Sequence, residues 1–173
     1  MRYVAPEIDE GEARRRLRPR RGCRWRLGSA RESPLSAKRL PHLELVWLPF
    51  LHVSAGQSGC VVCASTGLAS RLAIDGLSSV DGDGVIEPAI ARERLVEIAR
   101  SHLSRLDAWA GGAGTDAAER PLTLEDWALP FWVLHFERRP GRLDFVALDG
   151  LGGAKVGGAV RQALLRAMLA RPG

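Results

Sequence analysis

The sequence predicts an α+β fold: an antiparallel sheet built from two related strand–strand–helix units, with the helices packed on one face. Leu-Pro-Phe opens two apolar segments, LPFLHV at 48–53 and LPFWVL at 129–134. Two further segments, RLAIDGL at 71–77 and FVALDGL at 145–151, share an Ala-x-Asp-Gly-Leu ending. Proline is tolerated at the start or edge of a strand and Asp-Gly favours a turn, so these segments predict two pairs of strands.

The order of the segments predicts one domain over residues 43–173 that contains an internal repeat. We expect the two copies at 43–110 and 121–173, with residues 111–120 as a flexible linker rich in glycine and polar residues. Proline-glycine and charged residues separate the two strands of the second copy, which predicts a hairpin over residues 129–149.

The first copy is longer than the second between its Leu-Pro-Phe and Asp-Gly segments. The excess falls around SAGQSGCVVCASTG, which leaves room for an additional strand. A second register, which pairs STGL with LDGL, stays open. Short matches of this kind also arise by chance in a chain rich in leucine, alanine and glycine.

Two helices are predicted from apolar residues that recur at helical spacing. The first begins at Pro88, because proline suits the first turn of a helix, and the second lies in AKVGGAVRQALLRAMLA near the end of the chain. The residues expected on their apolar faces are Leu95, Ile98, His102, Leu106 and Trp109 in the first, and Val156, Val160, Leu164 and Met168 in the second.

The charge of the chain is unevenly distributed. The formal net charge is +5, but the segment from Ala13 to His42 carries +10, so the rest of the chain is at −5. Between Arg14 and Arg31 the apolar residues follow no helical or strand period, and the like charges repel one another. We therefore expect residues 1–42 to form a basic, poorly ordered N-terminal arm.

The arm has three competing interpretations, one of which is that it folds back on the acidic remainder of the chain. As a contact for nucleic acid or another anionic surface, its arginines would neutralise phosphates and its tryptophan would stack on an unpaired base. As a solvated tail, it would reflect the preference of this chain for arginine, with 23 Arg and 2 Lys, which is typical of GC-rich bacterial coding sequences. The candidate contact residues are Arg14, Arg15, Arg16, Arg18, Arg20, Arg21, Arg24, Trp25 and Arg26.

The cysteines and histidines are the candidates for metal or thiol chemistry. Cys60 and Cys63 have the spacing of a metal knuckle or redox pair, but β-branched neighbours predict a strand, which points their sulfur atoms to opposite faces. His52 and His135 lie at positions of equal parity after Pro49 and Pro130, so they would share a sheet face if the repeat is real. We find no acidic residue at a sequence spacing that would orient either histidine.

Other motifs fall short of a cofactor site. The loop SSVDGDGVIEPAI resembles the calcium loop of an EF-hand but lacks its first aspartate and its last glutamate. The run GLGGAKVGG lacks the Gly-Lys-Ser/Thr ending of a phosphate loop. The sequence therefore predicts no cofactor.

The function favoured by the sequence is a non-catalytic binding or assembly protein, with a protein partner or a second copy of the chain as its target. Its surface would be the apolar side chains of Trp47, Phe50, Phe131 and Trp132, and its basic arm would add electrostatic attraction. The alternative is a nucleic-acid-binding protein led by the arm, and the third hypothesis is a metal- or thiol-dependent enzyme.

The sequence also predicts the compartment. It has no apolar run long enough for a membrane span and no apolar core of a secretory signal near its N-terminus. Three cysteines do not make a disulfide framework, so we expect a reducing cytoplasm.

Overall fold

A computed structural model describes residues 1–17, 41–55, 58–71, 77–109, 121–139 and 142–170 of the chain. These residues form a mixed sheet of seven strands together with three helices, an α+β architecture. The elements are β1 (Arg2–Val4), α1 (Glu10–Arg16), β2 (His42–Ala55), β3 (Ser58–Cys63), β4 (Ala69–Ser70), β5 (Ser79–Val80), α2 (Arg92–Trp109), β6 (Thr123–Arg139), β7 (Arg142–Asp149) and α3 (Gly158–Ala170).

The strands follow the order β4-β3-β2-β6-β1-β5, and β7 pairs with β6 outside this path. β1 runs parallel to β6, with Tyr3 opposite Ala128. The prediction of an antiparallel sheet is therefore wrong at this pair. The reason is that the first residues of the chain add a strand, although the sequence analysis assigned them to the arm.

The chain divides into two compact units. Unit 1 comprises Met1–Ala5 and Trp47–Leu129, and unit 2 comprises Pro6–Val46 and Pro130–Gly173. Each unit therefore combines segments from the beginning and the middle or end of the chain. None of the helices in the described part of the chain has the length and apolar character needed to cross a bilayer.

Unit 1 has its core between the β2–β3 hairpin and helix α2. β2 pairs with β3 from Phe50 opposite Cys63 to Ala55 opposite Ser58. Alternate residues of the two strands face one side, and α2 adds residues four positions apart, as expected for a helix that buries one stripe. The buried residues of this core are Leu51, Val53, Ala55, Cys60, Val62, Ala64, Leu95, Ala99 and Leu103.

Unit 2 contains the predicted hairpin, which is confirmed as β6 and β7. Phe131 lies opposite Asp149, and a register shift interrupts the ladder between Glu137 and Arg139. Helix α1 contributes Ala13 and Leu17 to the core of this unit. The other buried residues of the core are Ile8, Leu43, Trp132, Leu134 and Leu148.

Helix α1 differs from the predicted disorder of the arm. The Asp9 carboxylate accepts a hydrogen bond from the Glu12 N–H at 2.7 Å and so caps the helix. The two acids of its first turn and the three arginines of its last turn complement the helix dipole. Residues 10–16 therefore belong to a folded unit, while residues 18–40, the remainder of the predicted arm, lie outside the described residues.

In unit 1 a tight turn follows the hairpin. The Ala64 N–H donates to the Pro49 carbonyl at 2.8 Å, and the Gly67 N–H donates to the Cys63 carbonyl at 2.8 Å. Gly67 has a φ of 73°, a conformation that favours glycine. The N–H groups of Ala89 and Ile90, just before α2, both donate to the Ala64 carbonyl at 3.0 Å.

Helix α2 begins directly after these two hydrogen bonds, at Arg92 rather than at Pro88 as predicted. The Leu95 N–H donates to the Ala91 carbonyl at 3.1 Å at the beginning of the helix. Gly158 opens α3, so the predicted second helix is found over Gly158–Ala170.

In unit 2 a tight turn follows the hairpin in the same way. The Gly150 N–H donates to the Pro130 carbonyl at 2.9 Å, and the Gly153 N–H donates to the Asp149 carbonyl at 3.0 Å. Gly153 has a φ of 69°. The Ile8 N–H, just before α1, donates to the Gly150 carbonyl at 3.0 Å. Unit 2 therefore has a turn and a helix entry of the same kind as unit 1.

Candidate functional site

The two closely spaced cysteines, Cys60 and Cys63, lie in β3, as the sequence predicts. Cys60 and Cys63 are three positions apart and therefore point to opposite faces of the strand, and both are buried and free. Burial raises the pKa of the Cys60 thiol to about 11, so this thiol stays protonated at neutral pH. Within the described residues no group of three or more potential metal ligands comes together, so Cys60, Cys63, His52 and His135 do not form one.

His52 is buried in unit 1 without a hydrogen-bonded partner among the described residues. Its ring lies against the Trp127 indole, with ring centroids 4.8 Å apart. Its Nδ1 is 3.6 Å from a Glu125 carboxylate oxygen, which is beyond hydrogen-bond distance. Burial lowers the pKa of His52, Glu125 acts in the opposite direction, and the Arg2 charge adds a smaller lowering effect.

The Trp127 indole connects this histidine to the first strand. Its Nε1–H donates to the Glu125 carboxylate at 2.9 Å, and the Arg2 guanidinium lies 5.1 Å from the centre of its ring. Arg2 also donates to the Ser79 hydroxyl and to the Leu77 carbonyl, both at 2.7 Å. Arg2 therefore joins β1, β5 and β6 of unit 1 through one cationic side chain.

His135 is buried in unit 2 and does have an acidic partner. Its Nε2 is 3.0 Å from the Glu44 carboxylate, and its ring stacks on His42 with centroids 6.2 Å apart. The expectation that no acid orients either histidine is therefore wrong for His135. Glu44 lies on a strand far away in sequence, and local spacing carries no information about such a contact.

The predicted partner surface is mostly interior. Phe50, Phe131 and Trp132 are each less than a tenth exposed, and the Trp132 indole donates its N–H to the Ile8 carbonyl at 2.7 Å. Trp47 is half-buried, and its ring packs edge-on against the Tyr3 ring with ring centroids 5.7 Å apart. These four side chains therefore do not form an exposed apolar patch.

Of the arginines predicted to contact nucleic acid, three lie in helix α1, and two of these are neutralised by ion pairs. Arg14 forms an ion pair with Glu10 at 2.7 Å, and Arg16 forms one with Glu12. Arg16 also donates to the Gly153 carbonyl at 3.3 Å. Arg15 is exposed on the same helix. The other predicted contact residues lie outside the described residues: Arg18, Arg20, Arg21, Arg24, Trp25 and Arg26.

Unit 1 contains a cavity that the sequence analysis did not predict. Its volume is about 110 Å³, and its apolar inner wall is formed by β2, the turn after β3 and the beginning of α2. On its solvent side the exposed Arg92 donates to both carboxylate oxygens of Asp126, at 2.5 and 2.6 Å. The lining residues are Met1, Pro49, Phe50, Leu51, Ala64, Pro88, Ile90, Arg92, Leu95 and Asp126.

The sequence held only a partial signal for this cavity. Phe50 was singled out as an apolar binding residue, and it does line the cavity from a buried position. The other walls come from segments more than thirty positions apart, such as Leu51, Leu95 and Asp126, which only the folded chain brings together. Comparisons of the chain with protein families, with curated proteins and with solved structures found no match.

Proposed function

We propose that this protein is a non-catalytic binding protein that holds an apolar group of a protein partner in the cavity of unit 1. The observation that carries the proposal is the composition of the cavity. Its inner wall is apolar, and its rim carries the ion pair between Arg92 and Asp126. An apolar pocket with a polar rim is the arrangement that anchors a side chain at the centre of a protein interface.

The size of the cavity favours an anchoring site over a cofactor site. Pockets for cofactors and drug-sized ligands measure ~300–1,000 Å³. The cavity of unit 1 has about 110 Å³, which suits one side chain. The functional surface is therefore proposed at this cavity rather than at a shared surface of the four aromatic residues named from the sequence, of which Phe50 lines the cavity.

Site-specific photo-crosslinking tests this function. A benzoylphenylalanine at Pro88, an exposed residue of the cavity, is expected to crosslink a partner protein that the same group at Leu143, an exposed position in unit 2, does not crosslink. The purified partner should then lose at least tenfold in affinity for the Ala64→Leu variant, whose larger side chain fills the cavity. Equal products from both positions, or affinity unchanged by Ala64→Leu, would contradict the proposal. A product of twice the mass of the chain would identify a second copy as the partner.

The second candidate function is nucleic-acid binding through the basic arm. It rests on the charge of +10 between Ala13 and His42. Deletion of residues 1–42 is a poor test because Ala13 and Leu17 are buried in unit 2. Replacing Arg18, Arg20, Arg21, Arg24 and Arg26 by glutamine leaves α1 intact and should flatten the salt dependence of RNA or DNA retention. Full-length protein that shows no retention at low salt would exclude this function.

We also propose that the chain contains an internal repeat, in a different register from the one predicted. The hydrogen bonds of the two turns support this register, because the Ala64 N–H donates to the Pro49 carbonyl as the Gly150 N–H donates to the Pro130 carbonyl. In this register Ala64 corresponds to Gly150, and Cys63 rather than Asp75 corresponds to Asp149. LELVWLPF at 43–50 and LEDWALPF at 124–131 then align without a gap. The repeating unit is a helix followed by two strands, in which α1 corresponds to α2.

A further inference from the structure

The repeat offers an internal template for what the unit 1 cavity receives. With Pro49 aligned to Pro130, Leu51 corresponds to Trp132. With Ile90 aligned to Ile8 by their hydrogen bonds to the turn, the beginning of α2 corresponds to the beginning of α1. The residues around the cavity therefore have counterparts in unit 2.

In unit 2 the corresponding space is filled by an indole ring. Trp132 is 9% exposed and belongs to the unit 2 core together with Ile8 and Ala13. Its Nε1–H donates to the Ile8 carbonyl at 2.7 Å, which fixes the orientation of the ring. This bond satisfies the only polar atom of a side chain that is otherwise suited to an apolar site.

In unit 1 the same position carries a smaller side chain. Leu51 has no ring to reach toward Ile90, and both residues line the cavity of about 110 Å³. An apolar cavity of ~150 Å³ stays dry and binds benzene. The unit 1 cavity is smaller but partly open, so it has room for the inner part of an indole ring while the rest of the ring and its attachment lie at the rim. The cavity is thus lined by the unit 1 counterparts of the residues that contact the Trp132 indole in unit 2.

We propose that the unit 1 cavity receives a tryptophan side chain of the partner polypeptide. The ring lies against Phe50, Leu51 and Leu95, and its N–H donates to the Ile90 carbonyl as Trp132 donates to the Ile8 carbonyl. The ion pair of Arg92 and Asp126 at the rim faces the polar backbone of the partner. This inference rests on the proposed function and adds the identity of the anchoring side chain.

Model ligands test the identity of the side chain. We expect N-acetyltryptophanamide to shift the NMR signals of Leu51, Ile90 and Leu95. It should bind at least fivefold more tightly than N-acetylphenylalaninamide or N-acetylleucinamide, whose side chains have no N–H donor. A tryptophan-containing hexapeptide should bind at least as tightly as free indole. Equal binding of the three amides, or shifts outside the cavity only, would overturn the inference. Free indole that binds much more tightly than the peptide would overturn the polypeptide source.

Variants of the full chain provide the second test. Leu51→Trp combined with Leu95→Ala copies the Trp132 and Ala13 pair of unit 2 into unit 1 and should weaken the binding of N-acetyltryptophanamide at least tenfold. The matched control is Leu143→Trp, which adds an indole at an exposed position in unit 2 and should leave binding unchanged. If the double variant does not fold by circular dichroism, Ala64→Leu takes its place with the same expected loss. Binding that survives in the filled cavity would overturn the inference.

The outcomes separate this inference from the proposed function. A partner that crosslinks from Pro88 and depends on Ala64, with no preference for tryptophan among the amides, would leave the function standing and exclude the indole. Absence of both the crosslink and amide binding would exclude both proposals.

Discussion

The two buried histidines differ in whether a nearby carboxylate is close enough to form a hydrogen bond. His135 has Glu44 at 3.0 Å and is held by it. His52 has Glu125 at 3.6 Å, and neither of its ring nitrogens has a hydrogen-bond partner among the described residues. Because burial lowers its pKa, His52 is a neutral, apolar-packed imidazole at neutral pH.

His52 should make the protein sensitive to acid. Its pKa in the folded state lies below the value of 6.5 of the unfolded chain, so below that pH the unfolded state binds the additional proton. The free energy of unfolding should therefore fall as the pH decreases through 6.5 and continue to fall until the pH is below both pKa values. Urea denaturation at pH 8 and pH 5 measures this change. The His52→Gln variant should show a smaller fall, and an equal fall in both proteins would contradict the assignment.

The sequence analysis identified the buried histidines and cysteines but not the residues that contact the histidines. The histidines and cysteines were identified by type, and the strand pattern indicated that Cys60 and Cys63 point to opposite faces. Glu44 and Glu125 were missed because each meets its histidine across strands that are distant in sequence. Only after the fold is known does each glutamate stand out, at the same distance before a Leu-Pro-Phe segment.

At the scale of elements, helix α1 is the main difference between expectation and structure. The signals for a helix were present: Asp9 with Glu12 three positions later, and Ala13 and Leu17 four positions apart. These signals were missed because the net charge was calculated over the whole segment up to His42, and its high positive value predicted disorder. The cap at Asp9 and the burial of Ala13 and Leu17 stabilise α1 despite this charge.

Leu17→Ala should destabilise the protein by about 2–4 kcal/mol, because Leu17 is 1% exposed and its truncation leaves a cavity in the unit 2 core. Arg15→Ala on the exposed side of the same helix serves as the control and should change stability by less than about 0.5 kcal/mol. Chemical denaturation of both variants measures the difference. Equal stabilities would show that α1 does not contribute to the core.

The turn after β7 permits a similar test. A Cβ atom at Gly150 would lie 2.8 Å from the Pro130 carbonyl oxygen, which is too close for the backbone to accept without moving. Gly150→Ala should therefore lower the free energy of unfolding by about 1–3 kcal/mol. A Cβ atom at Gly157 meets nothing within 4 Å, so Gly157→Ala is the matched control. Thermal unfolding that is the same for both variants would contradict this account of the turn.

At the scale of the whole molecule, the sequence predicted the α+β class and the hairpin of β6 and β7. It did not predict that helix α1, from the beginning of the chain, joins that hairpin in unit 2. Unit 2 combines α1 with β6 and β7, whereas unit 1 combines α2 with β2 and β3. A reading along the chain joins each hairpin to the helix that follows it, which is correct for β2, β3 and α2. No local pattern indicates that α1 packs with β6 and β7.

This organisation predicts that a cut chain stays together. Cleavage at a protease site inserted between Gly114 and Thr115 gives two fragments, and both units contain residues from each of them. The fragments should therefore migrate as one species in size-exclusion chromatography and separate only in denaturant. Fragments that separate under native conditions would show that the contacts within each unit do not hold the two fragments together.

The separation in sequence between α1 and its packing partners also bears on synthesis of the chain at the ribosome. Ile8 and Leu17 are translated more than a hundred residues before Trp132 and Leu148, which pack with them in the unit 2 core. At ~5–20 residues per second, the delay is on the order of ten seconds. During that time the apolar side chains of the nascent chain are exposed next to a strongly cationic segment. Nascent chains on neighbouring ribosomes carry the same positive charge, and the repulsion between them would oppose their association.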